Sequence, residues 1–260
     1  MKTKIVVAAH KEFQMPQNQK LYFPILVGAI YNYKQEINYQ RDDEGINISK
    51  KNPNYNELTA IYWAWKNLKN VDAIGLVHYR RYFIKRWHFS NLDNVIDEEE
   101  VAKLLSKYDV ILPKKRHYYI ETIYSHYVHS HHKEPLDETR RIIIKLYPSY
   151  LSSFDKVMSR RSAHMFNMFI MKKKYFNGYC KWLFDILEHV ENSIDINNYS
   201  RQERRVFGYL AELLMDVWIN KNNISFTENR WGMIGSQHII QRGIFLVLRK
   251  INLGGNHTHF

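Results

Sequence analysis

The strongest constraint on the fold is an ordered series of patterns between residues 47 and 83. A polar loop precedes apolar residues that recur every three or four positions from Leu58 to Leu68, as they do on one face of a helix. The apolar run 73–77 then predicts a buried strand, and the motif His-Tyr-Arg-Arg at 78–81 follows it directly. This order places basic side chains beyond the carboxyl end of a central strand, where open α/β sheets bind ligands.

Strand and helix patterns alternate along the rest of the chain. Short apolar runs predict strands at 5–9, 21–30, 110–113 and 165–171, with Pro24 favouring an edge position for the second. Helical patterns cover 54–70, 97–107, 137–146, 150–158, 174–191 and 201–220. The alternation predicts an α/β fold in which helices flank a mostly parallel sheet, with a helical C-terminal part.

The length and composition favour one domain over residues 1–235, followed by a basic and apolar segment, 236–260. A chain of 260 residues with 45% hydrophobic content buries a sizeable core without disulfides, and its single cysteine, Cys180, has no partner in the chain. The segment 239–251 mixes apolar residues with arginine and lysine. It is expected either to dock on the domain as a last helix or strand, or to lie on an anionic membrane surface.

The chain has no pattern typical of a leader peptide or a membrane span. Its N-terminal apolar run is too short for a signal peptide, and no segment approaches the roughly 18 uninterrupted apolar residues of a spanning helix. We therefore expect a cytoplasmic protein, with peripheral attachment to the inner face of the cell membrane as an option. The formal net charge of +12 implies an anionic partner, which charge alone does not identify as nucleic acid, phospholipid or a phosphorylated substrate.

The arginines at 80 and 81 are candidates for binding a diphosphate. Guanidinium groups present planar, bidentate donors to phosphate oxygens, although such a pair is also common on solvated surfaces. A divalent ion such as Mn²⁺ or Mg²⁺ usually needs an Asp-x-Asp motif here, and the sequence has none. We expect no cofactor, with Asp42 and Asp43 as the fallback metal ligands.

Two further sets of side chains are candidates for chemistry. Glu212 follows Gly208 by one helical turn and is the first choice for a general base, with Glu57 and Asp216 as competitors and an ordinary surface carboxylate as the alternative for each. The histidines at 126, 129, 131 and 132 have the ligand chemistry of zinc but no accompanying cysteines. We interpret them as an acceptor-side or merely exposed loop.

Five blocks of the sequence, 4–11, 47–65, 75–83, 166–171 and 208–212, together resemble a bacterial family. It is the domain-of-unknown-function family described as capsular or exopolysaccharide biosynthesis glycosyltransferases, and the resemblance covers residues 4–232. It implies a GT-A-like fold and transfer of a sugar from a nucleotide donor to a glycan or lipid-linked glycan, in capsular polysaccharide, exopolysaccharide or O-antigen synthesis. Because some relatives transfer galactofuranose, it implies UDP-galactofuranose or UDP-galactose as donor.

The resemblance also implies which residues form the site. Residues 9–11 would border the nucleoside, polar residues of 47–52 would surround it, 78–81 would face the diphosphate or donor sugar, and 167 would stand near the acceptor. In chain order these candidates are Ala9, His10, Lys11, Asn47, Ser49, Asn52, Glu57, His78, Tyr79, Arg80, Arg81 and Asn167. Arg80, Arg81 and His78 would assist the leaving group, and Glu212 would take the proton.

Two other classes of function stay open. A nucleic-acid-binding module would suit the net charge and the aromatic and basic residues of 78–88 and 114–119, although no nucleic-acid motif is present and we expect no such partner. A glycan-binding protein of the same fold without catalytic activity is the third possibility. Dinucleotide oxidoreductases, phosphate-loop ATPases and serine hydrolases lose support because their glycine-rich motifs are absent.

Overall fold

The computed structural model describes residues 1–85 and 91–234. Within these ranges the strands are β1 (Thr3–Ala9), β2 (Tyr22–Leu26), β3 (Gln40–Arg41), β4 (Ala73–His78), β5 (Arg81–Phe83), β6 (Val110–Pro113), β7 (Arg116–His117), β8 (Ser162–Ala163), β9 (Phe169–Lys172), β10 (Phe226–Asn229) and β11 (Trp231–Met233). The helices are α1 (Ala29–Asn32), α2 (Asn52–Tyr55), α3 (Leu58–Asn67), α4 (Glu98–Lys107), α5 (Ile123–Ser130), α6 (Glu134–Leu146), α7 (Leu151–Met158), α8 (Lys173–Glu191) and α9 (Val206–Lys221).

One large sheet has the strand order β10-β6-β9-β4-β1-β2-β3. β1 pairs in parallel with both β2 and β4, β2 with β3, and β6 with β10, whereas β9 runs antiparallel to β4 and β6. β5 and β11 extend β4 as an antiparallel ribbon, while β7 and β8 form a separate pair. The parallel pairing brings the carboxyl ends of β2, β1 and β4 to one edge of the sheet.

The central strands are buried on both faces. In β1, Val6 and Ala8 join the hydrophobic cluster that includes α3, α8 and α9, while Ile5 and Val7 join the cluster that includes α4. Successive side chains of a strand point to opposite faces of the sheet, so the continuous apolar run packs against helices on both faces. In β4, a Cβ at Gly75 would lie 2.9 Å from the carbonyl oxygen of Phe169, so that position requires glycine for the strands to approach.

Most predicted elements are confirmed. Pro24 lies in β2 opposite Val7, and β3 pairs only with Ile25 and Leu26, which leaves the other side of β2 open at the proline. The predicted helix over 97–107 begins one residue later, because the Asp97 side chain caps it by accepting from the Glu100 backbone amide at 3.0 Å. A capping aspartate is a common start for a helix.

Five predictions of local structure are wrong. The predicted strand 21–30 ends at Leu26, and Ala29–Asn32 is the helix α1. The predicted helix 201–220 begins only at Val206.

The other three concern a helix, a strand and a loop. The single helix 54–70 is two helices, because Asn56 adopts φ 50° between α2 and α3. The predicted strand 165–171 begins only at Phe169, since Phe166 and Asn167 both have positive φ. The first part of the histidine run is helical rather than a loop, because Thr122 and Ser125 form a capping box that starts α5.

The segment 236–260, for which docking on the domain or on a membrane surface was predicted, lies outside the described residues. Within the described ranges, no helix has the length and apolar content needed to cross a bilayer.

Candidate functional site

A cleft of about 1100 Å³ opens at the shared carboxyl edge of β1, β2 and β4. His10 follows β1, Val27 follows β2, and His78 ends β4, so each strand delivers a side chain to the same opening. Tyr79, Arg80 and Arg81, which come next after β4, line it as well. The lining residues are Ala8, His10, Val27, Tyr31, Asn32, Asn52, Pro53, Asn56, Glu57, His78, Tyr79, Arg80, Arg81, Tyr199, Arg201, Gln202, Arg204, Arg205 and Met233. The location agrees with the general placement of ligands in α/β sheets.

Seven of the predicted site residues line this cleft. They are His10, Asn52, Glu57, His78, Tyr79, Arg80 and Arg81. The other six candidates are not among the lining residues: Ala9, Lys11, Asn47, Ser49, Asn167 and Glu212. Of these six, Asn167 donates a hydrogen bond to the lining residue Glu57, and Glu212 interacts electrostatically with Glu57, Arg81 and Arg205.

Asp42, a fallback metal ligand, is instead a buried structural acceptor. Its carboxylate accepts from the backbone amides of Gly28 and Ala29 at 2.7 and 2.9 Å, and from the hydroxyls of Ser49 and Thr59 at 2.5 and 2.6 Å. Ser49 is therefore turned into the protein, at 1% exposure, rather than towards the cleft. The carboxylate joins α1, the loop before α2 and α3 into one rigid wall.

Neighbouring polar residues complete this wall. Asn47 donates to the carbonyl oxygens of Asp43 and Gly45 and accepts from the Ser49 amide at 3.1 Å, which shapes the loop. The Asp43 carboxylate accepts two hydrogen bonds from the Arg41 guanidinium at 2.7 and 2.9 Å. Both fallback carboxylates are thus engaged by donors of the chain, and among the described residues no group of three or more metal-ligating side chains converges.

Aromatic rings form the floor beside β1. Phe13 and Tyr79 stack with centroids 3.8 Å apart, and His10 meets both rings edge-on at 5.5 and 5.2 Å. The exposed Arg80 guanidinium lies 5.2 Å from the Tyr79 ring. Partial burial lowers the pKa of His10, with Lys11 and Arg80 adding to the effect, so this ring is neutral at physiological pH.

The opposite wall carries three arginines that sequence reasoning missed: Arg201, Arg204 and Arg205. They lie in the short segment before α9, which the sequence analysis assigned to the helix itself. Arg205 donates from Nε to Asn56 Oδ1 at 2.9 Å, and Arg204 donates to the backbone oxygens of Asn197 and Tyr199. The feature of the sequence that could have indicated them is the presence of three arginines within five residues, 201–205. They line the cleft, and α9 begins only after them, at Val206.

Glu57, which lines the cleft, has the buried Glu212 carboxylate as a neighbour. Asn167 Nδ2 donates to Glu57 Oε1 at 2.6 Å and to the carbonyl oxygen of Gly208 at 3.1 Å, which links α9 to the break before α3. Asn167 Oδ1 is buried and accepts no hydrogen bond from the described residues. A Cβ at Gly208 would lie 2.9 Å from Asn56 Nδ2, so a larger residue there would displace the Asn56 side chain.

Glu212 lies one turn beyond Gly208 on α9. Burial, and after it the charge of the nearby Glu57 carboxylate, raise the pKa of Glu212 to about 7 against the opposing effects of a hydrogen bond from the Phe166 backbone and the charges of Arg81 and Arg205. A carboxylate with a pKa near neutrality is suited to accept a proton at physiological pH. The structure thus gives Glu212 the electrostatic environment expected of a base.

His78 supports the same end of the site. Its Nε2 lies 2.5 Å from the Phe166 carbonyl oxygen, which can only accept, so the proton is on Nε2. Burial lowers the pKa of His78, against the raising influence of Glu57, and keeps the ring neutral. The histidine thereby holds the turn at Phe166 and Asn167 that presents the Phe166 amide to Glu212.

Asp216, the competing candidate for the base, belongs to a separate buried cluster. Its carboxylate accepts from the backbone amide of His164 at 3.1 Å and contacts the Nδ1 of the same ring. The Nε2 of His164 lies 3.3 Å from Glu228 Oε1. With 3% exposure and its oxygens engaged, Asp216 ties α9 to β8 and β10 and is not available to a ligand in the cleft.

The four clustered histidines also have partners within the chain, two of them in α5 and two directly after it. The nitrogens of His126 and His129 lie 2.8 and 2.6 Å from the Glu121 carboxylate, and His132 lies 3.1 Å from Glu203. His131 stacks on Tyr209 with centroids 4.2 Å apart, and burial lowers its pKa to about 4. Among the described residues, these histidines are not part of any group of three or more side chains that could hold a metal ion.

Comparisons with known proteins agree with this architecture. The structure titled "WbbM bifunctional glycosytransferase apo structure" is similar to this chain, with 32% sequence identity and a TM-score of 0.80 over 91% of this chain and 46% of that one. This chain therefore spans about half the length of that protein. A search of curated proteins found no match. The similarity confirms the predicted α/β, GT-A-like fold.

A family model supplies the second comparison. The model described as "Domain of unknown function (DUF4422)" matches residues 4–223, which include the whole carboxyl edge of the sheet and α9. The match agrees with the resemblance seen in the five sequence blocks. The chain belongs to the DUF4422 family.

Proposed function

We propose that this chain is a nucleotide-sugar-dependent glycosyltransferase. The observation that carries the proposal is a cleft lined by five arginines and by Glu57, with the buried Glu212 next to Glu57 and its pKa raised to about 7. The name of the similar structure, which is given as a glycosyltransferase, supports the same class of reaction. The donor, acceptor and linkage are further parts of the proposal.

The arginines are proposed to bind the diphosphate of the donor. Arg80 and Arg81 approach from the end of β4, and Arg201, Arg204 and Arg205 from the segment before α9, while Glu57 is the one carboxylate among the lining residues. Guanidinium groups bind phosphate oxygens in bidentate geometry and neutralise the charge that develops on the leaving group. In this proposal they take the place of a metal, since the described carboxylates do not converge on one.

The nucleoside is proposed to lie against the rings near β1. His10, Tyr31 and Tyr79 line the cleft, and Tyr31 is 61% exposed. A large exposed aromatic face suits stacking on a base. Asn32 and Asn52 are the lining amides that would hydrogen-bond to a uracil or its ribose.

The reaction is proposed to occur beside Glu212. An acceptor hydroxyl attacks the anomeric carbon of the donor sugar and forms the new glycosidic bond, as the bond to the diphosphate oxygen breaks. Glu212 takes the hydroxyl proton, and the bond electrons leave with UDP, whose charge the arginines stabilise. A single displacement of this kind inverts the anomeric configuration.

The sugar and the pathway are the least constrained parts of the proposal. UDP-galactofuranose and UDP-galactose are the donors to test first, and a glycan or lipid-linked glycan of capsular polysaccharide, exopolysaccharide or O-antigen synthesis is the acceptor class. A lipid-linked acceptor and the basic surface would suit a cytoplasmic enzyme placed peripherally at the inner face of the membrane.

Thermal unfolding in the presence of candidate ligands tests the function. UDP-galactofuranose, UDP-galactose, UDP-glucose and UDP would each be added with EDTA or with Mn²⁺, and a single-stranded oligonucleotide would be added in a parallel series. We expect one UDP-sugar to raise the melting temperature most, by the same amount with EDTA. Stabilisation by the oligonucleotide alone would contradict the proposal, since it would favour the nucleic-acid-binding alternative.

A further inference from the structure

Beyond the cleft, a group of aromatic rings includes Tyr209, which lies three residues before Glu212 on α9, and none of the group lines the cleft. His126 stacks on Tyr118 with ring centroids 4.2 Å apart, and His131 stacks on Tyr209 at the same distance. Tyr119 follows Tyr118 at the tip of the turn between β7 and α5. These five residues are called the ring surface below.

The ring surface is continuous with the reacting end of the cleft. The Tyr118 hydroxyl donates to the Met165 sulfur at 3.0 Å, one residue before the Phe166 turn that contacts Glu212. Tyr209 is adjacent in sequence to Gly208, whose carbonyl oxygen accepts from Asn167. Burial raises the pKa of both tyrosines, and the charge of the Glu212 carboxylate adds to each shift, so Glu212 is close enough to both rings to interact with them electrostatically.

The tip of the turn is held in an unusual and exposed conformation. Tyr119 has φ 60°, in the left-handed region, and its side chain is 82% exposed, while the next residue, Ile120, is 87% exposed. Backbone bonds from Tyr118 to Arg161 and from Ile123 to Arg160 hold the turn in place. A strained conformation that exposes a tyrosine and an isoleucine gains no packing energy from the part of the chain that the structure describes, so we take a ligand as the better explanation.

The chemistry of the ring surface suits carbohydrate. Flat aromatic faces pack against the apolar C–H faces of sugar rings, while polar groups at their edges bind hydroxyls. Such groups are present, because the Glu121 carboxylate lies within hydrogen-bond distance of both His126 and His129. Two arginines border the ring surface and both engage the chain, since Arg116 lies 5.6 Å from the Tyr118 ring and Arg161 donates to the Tyr119 carbonyl oxygen at 3.4 Å.

We propose that the ring surface binds the acceptor glycan and directs one of its hydroxyls towards Glu212. This inference rests on the proposed function, because it places the acceptor near Glu212 and outside the donor cleft. It assigns His126 and His131 to the acceptor side by their stacking partners rather than by metal chemistry.

Glycan binding measured without turnover tests the inference. An array of immobilised bacterial oligosaccharides would be probed with the full chain in the presence of UDP. Wild-type protein is expected to bind a subset of the glycans, and Tyr119→Ala and Ile120→Ser each to lose at least about fivefold of that signal. Tyr119→Phe keeps the ring and is expected to retain binding. Ile46→Ser removes a comparably exposed isoleucine, 60% exposed, elsewhere on the surface and serves as the matched control.

The outcomes distinguish this inference from the proposed function. Equal glycan binding by wild type, Tyr119→Ala and Ile120→Ser, or no binding by wild type, would overturn the ring surface as acceptor site. If Tyr119→Ala or Ile120→Ser lost binding to phosphatidylglycerol vesicles but kept glycan binding, the ring surface would be a lipid-binding surface and the inference would be overturned. Stabilisation of the protein by UDP is measured separately, so the donor site can stand or fall independently of these results.

Discussion

Asn167 donates a hydrogen bond from Nδ2 to Glu57 Oε1 over 2.6 Å and joins two turns that are 110 residues apart in the sequence. Each turn contains a residue with positive φ: Asn56, which precedes Glu57, has φ 50°, and Asn167 itself has φ 52°. The hydrogen bond fixes the position of the carboxylate that raises the pKa of Glu212. The geometry of the reacting end of the cleft therefore depends on this pair.

Replacing Asn167 by glycine tests that dependence without backbone strain, because glycine adopts positive φ at no steric cost. Asn167→Gly is expected to lower the rate of UDP release from the preferred UDP-sugar by about 10- to 100-fold, as is typical when a positioned polar group is removed from an active site. UDP binding, measured by calorimetry, should stay within about threefold, because the arginines are untouched. A rate equal to that of wild type would remove Asn167 from the site.

The pH dependence of sugar transfer is expected to show the titration of Glu212, the proposed general base. Because Glu212 must be ionised to accept a proton and its pKa is about 7, kcat/KM is expected to rise as the pH increases through about 7 and then to level off. Glu57→Gln removes a like charge while keeping an acceptor for Asn167, so it lowers the pKa of Glu212. The rising limb of the profile should then move to lower pH. A limb that stays in place would assign the titration to another group.

The arginines of the segment before α9 should matter as much as those after β4. Arg204→Ala and Arg80→Ala are each expected to weaken binding of UDP about tenfold or more, because each removes a charge-assisted donor to phosphate. Arg141→Ala, which lies on α6 outside the lining residues, serves as the control for loss of one positive charge. If Arg204→Ala binds UDP as tightly as Arg141→Ala does, the segment 201–205 has no role in holding the diphosphate.

Gly208 provides a test of local packing. In Gly208→Ala the new Cβ would lie 2.9 Å from Asn56 Nδ2, so the side chain that holds Arg205 must move. We expect UDP release to fall about tenfold while the fold is kept. Gly178→Ala on α8 is the matched control, because its Cβ would make an ordinary 3.6 Å contact with Trp218, and alanine is favoured over glycine within a helix. Full activity of Gly208→Ala would show that Arg205 needs no support from Asn56.

Asp42 is expected to act on stability rather than on chemistry. Asp42→Ala leaves four donors without their acceptor in a fully buried position, so it should cost roughly 3 kcal/mol or more of unfolding free energy. Chemical denaturation measures this directly, and Asp43→Ala is the comparison, since its partly exposed pair with Arg41 should cost less. Loss of Mn²⁺ binding in Asp42→Ala at unchanged stability would instead support the fallback metal site.

The sequence predicted those parts of the fold that depend on local hydrophobic periodicity. The runs at 5–9 and 73–77 are buried central strands, and their continuous apolar character reflects helices on both faces. The site residues of 78–81 followed from the same reasoning, because the end of a parallel strand fixes where its next residues point.

The remainder depended on long-range contacts that periodicity does not contain. Asn56 and Asn167 adopt positive φ because Arg205, Glu57 and Gly208 hold them there, and those partners are far away in sequence. Ser49 resembled a ligand-binding hydroxyl, but it donates to Asp42, which no local pattern reveals. The arginines of 201–205 were hidden inside a helical pattern, because the start of α9 is set by its packing on α2 rather than by a capping residue.

The crystal structure of this protein soaked with UDP, in buffer containing EDTA, tests most directly whether the arginines of the cleft bind the diphosphate without a metal. We predict that the diphosphate lies in the cleft within hydrogen-bond distance of guanidinium groups from both 80–81 and 201–205, with the uracil against Tyr31 or Tyr79. A nucleotide bound elsewhere, or one that enters the cleft only when Mn²⁺ is supplied, would contradict it.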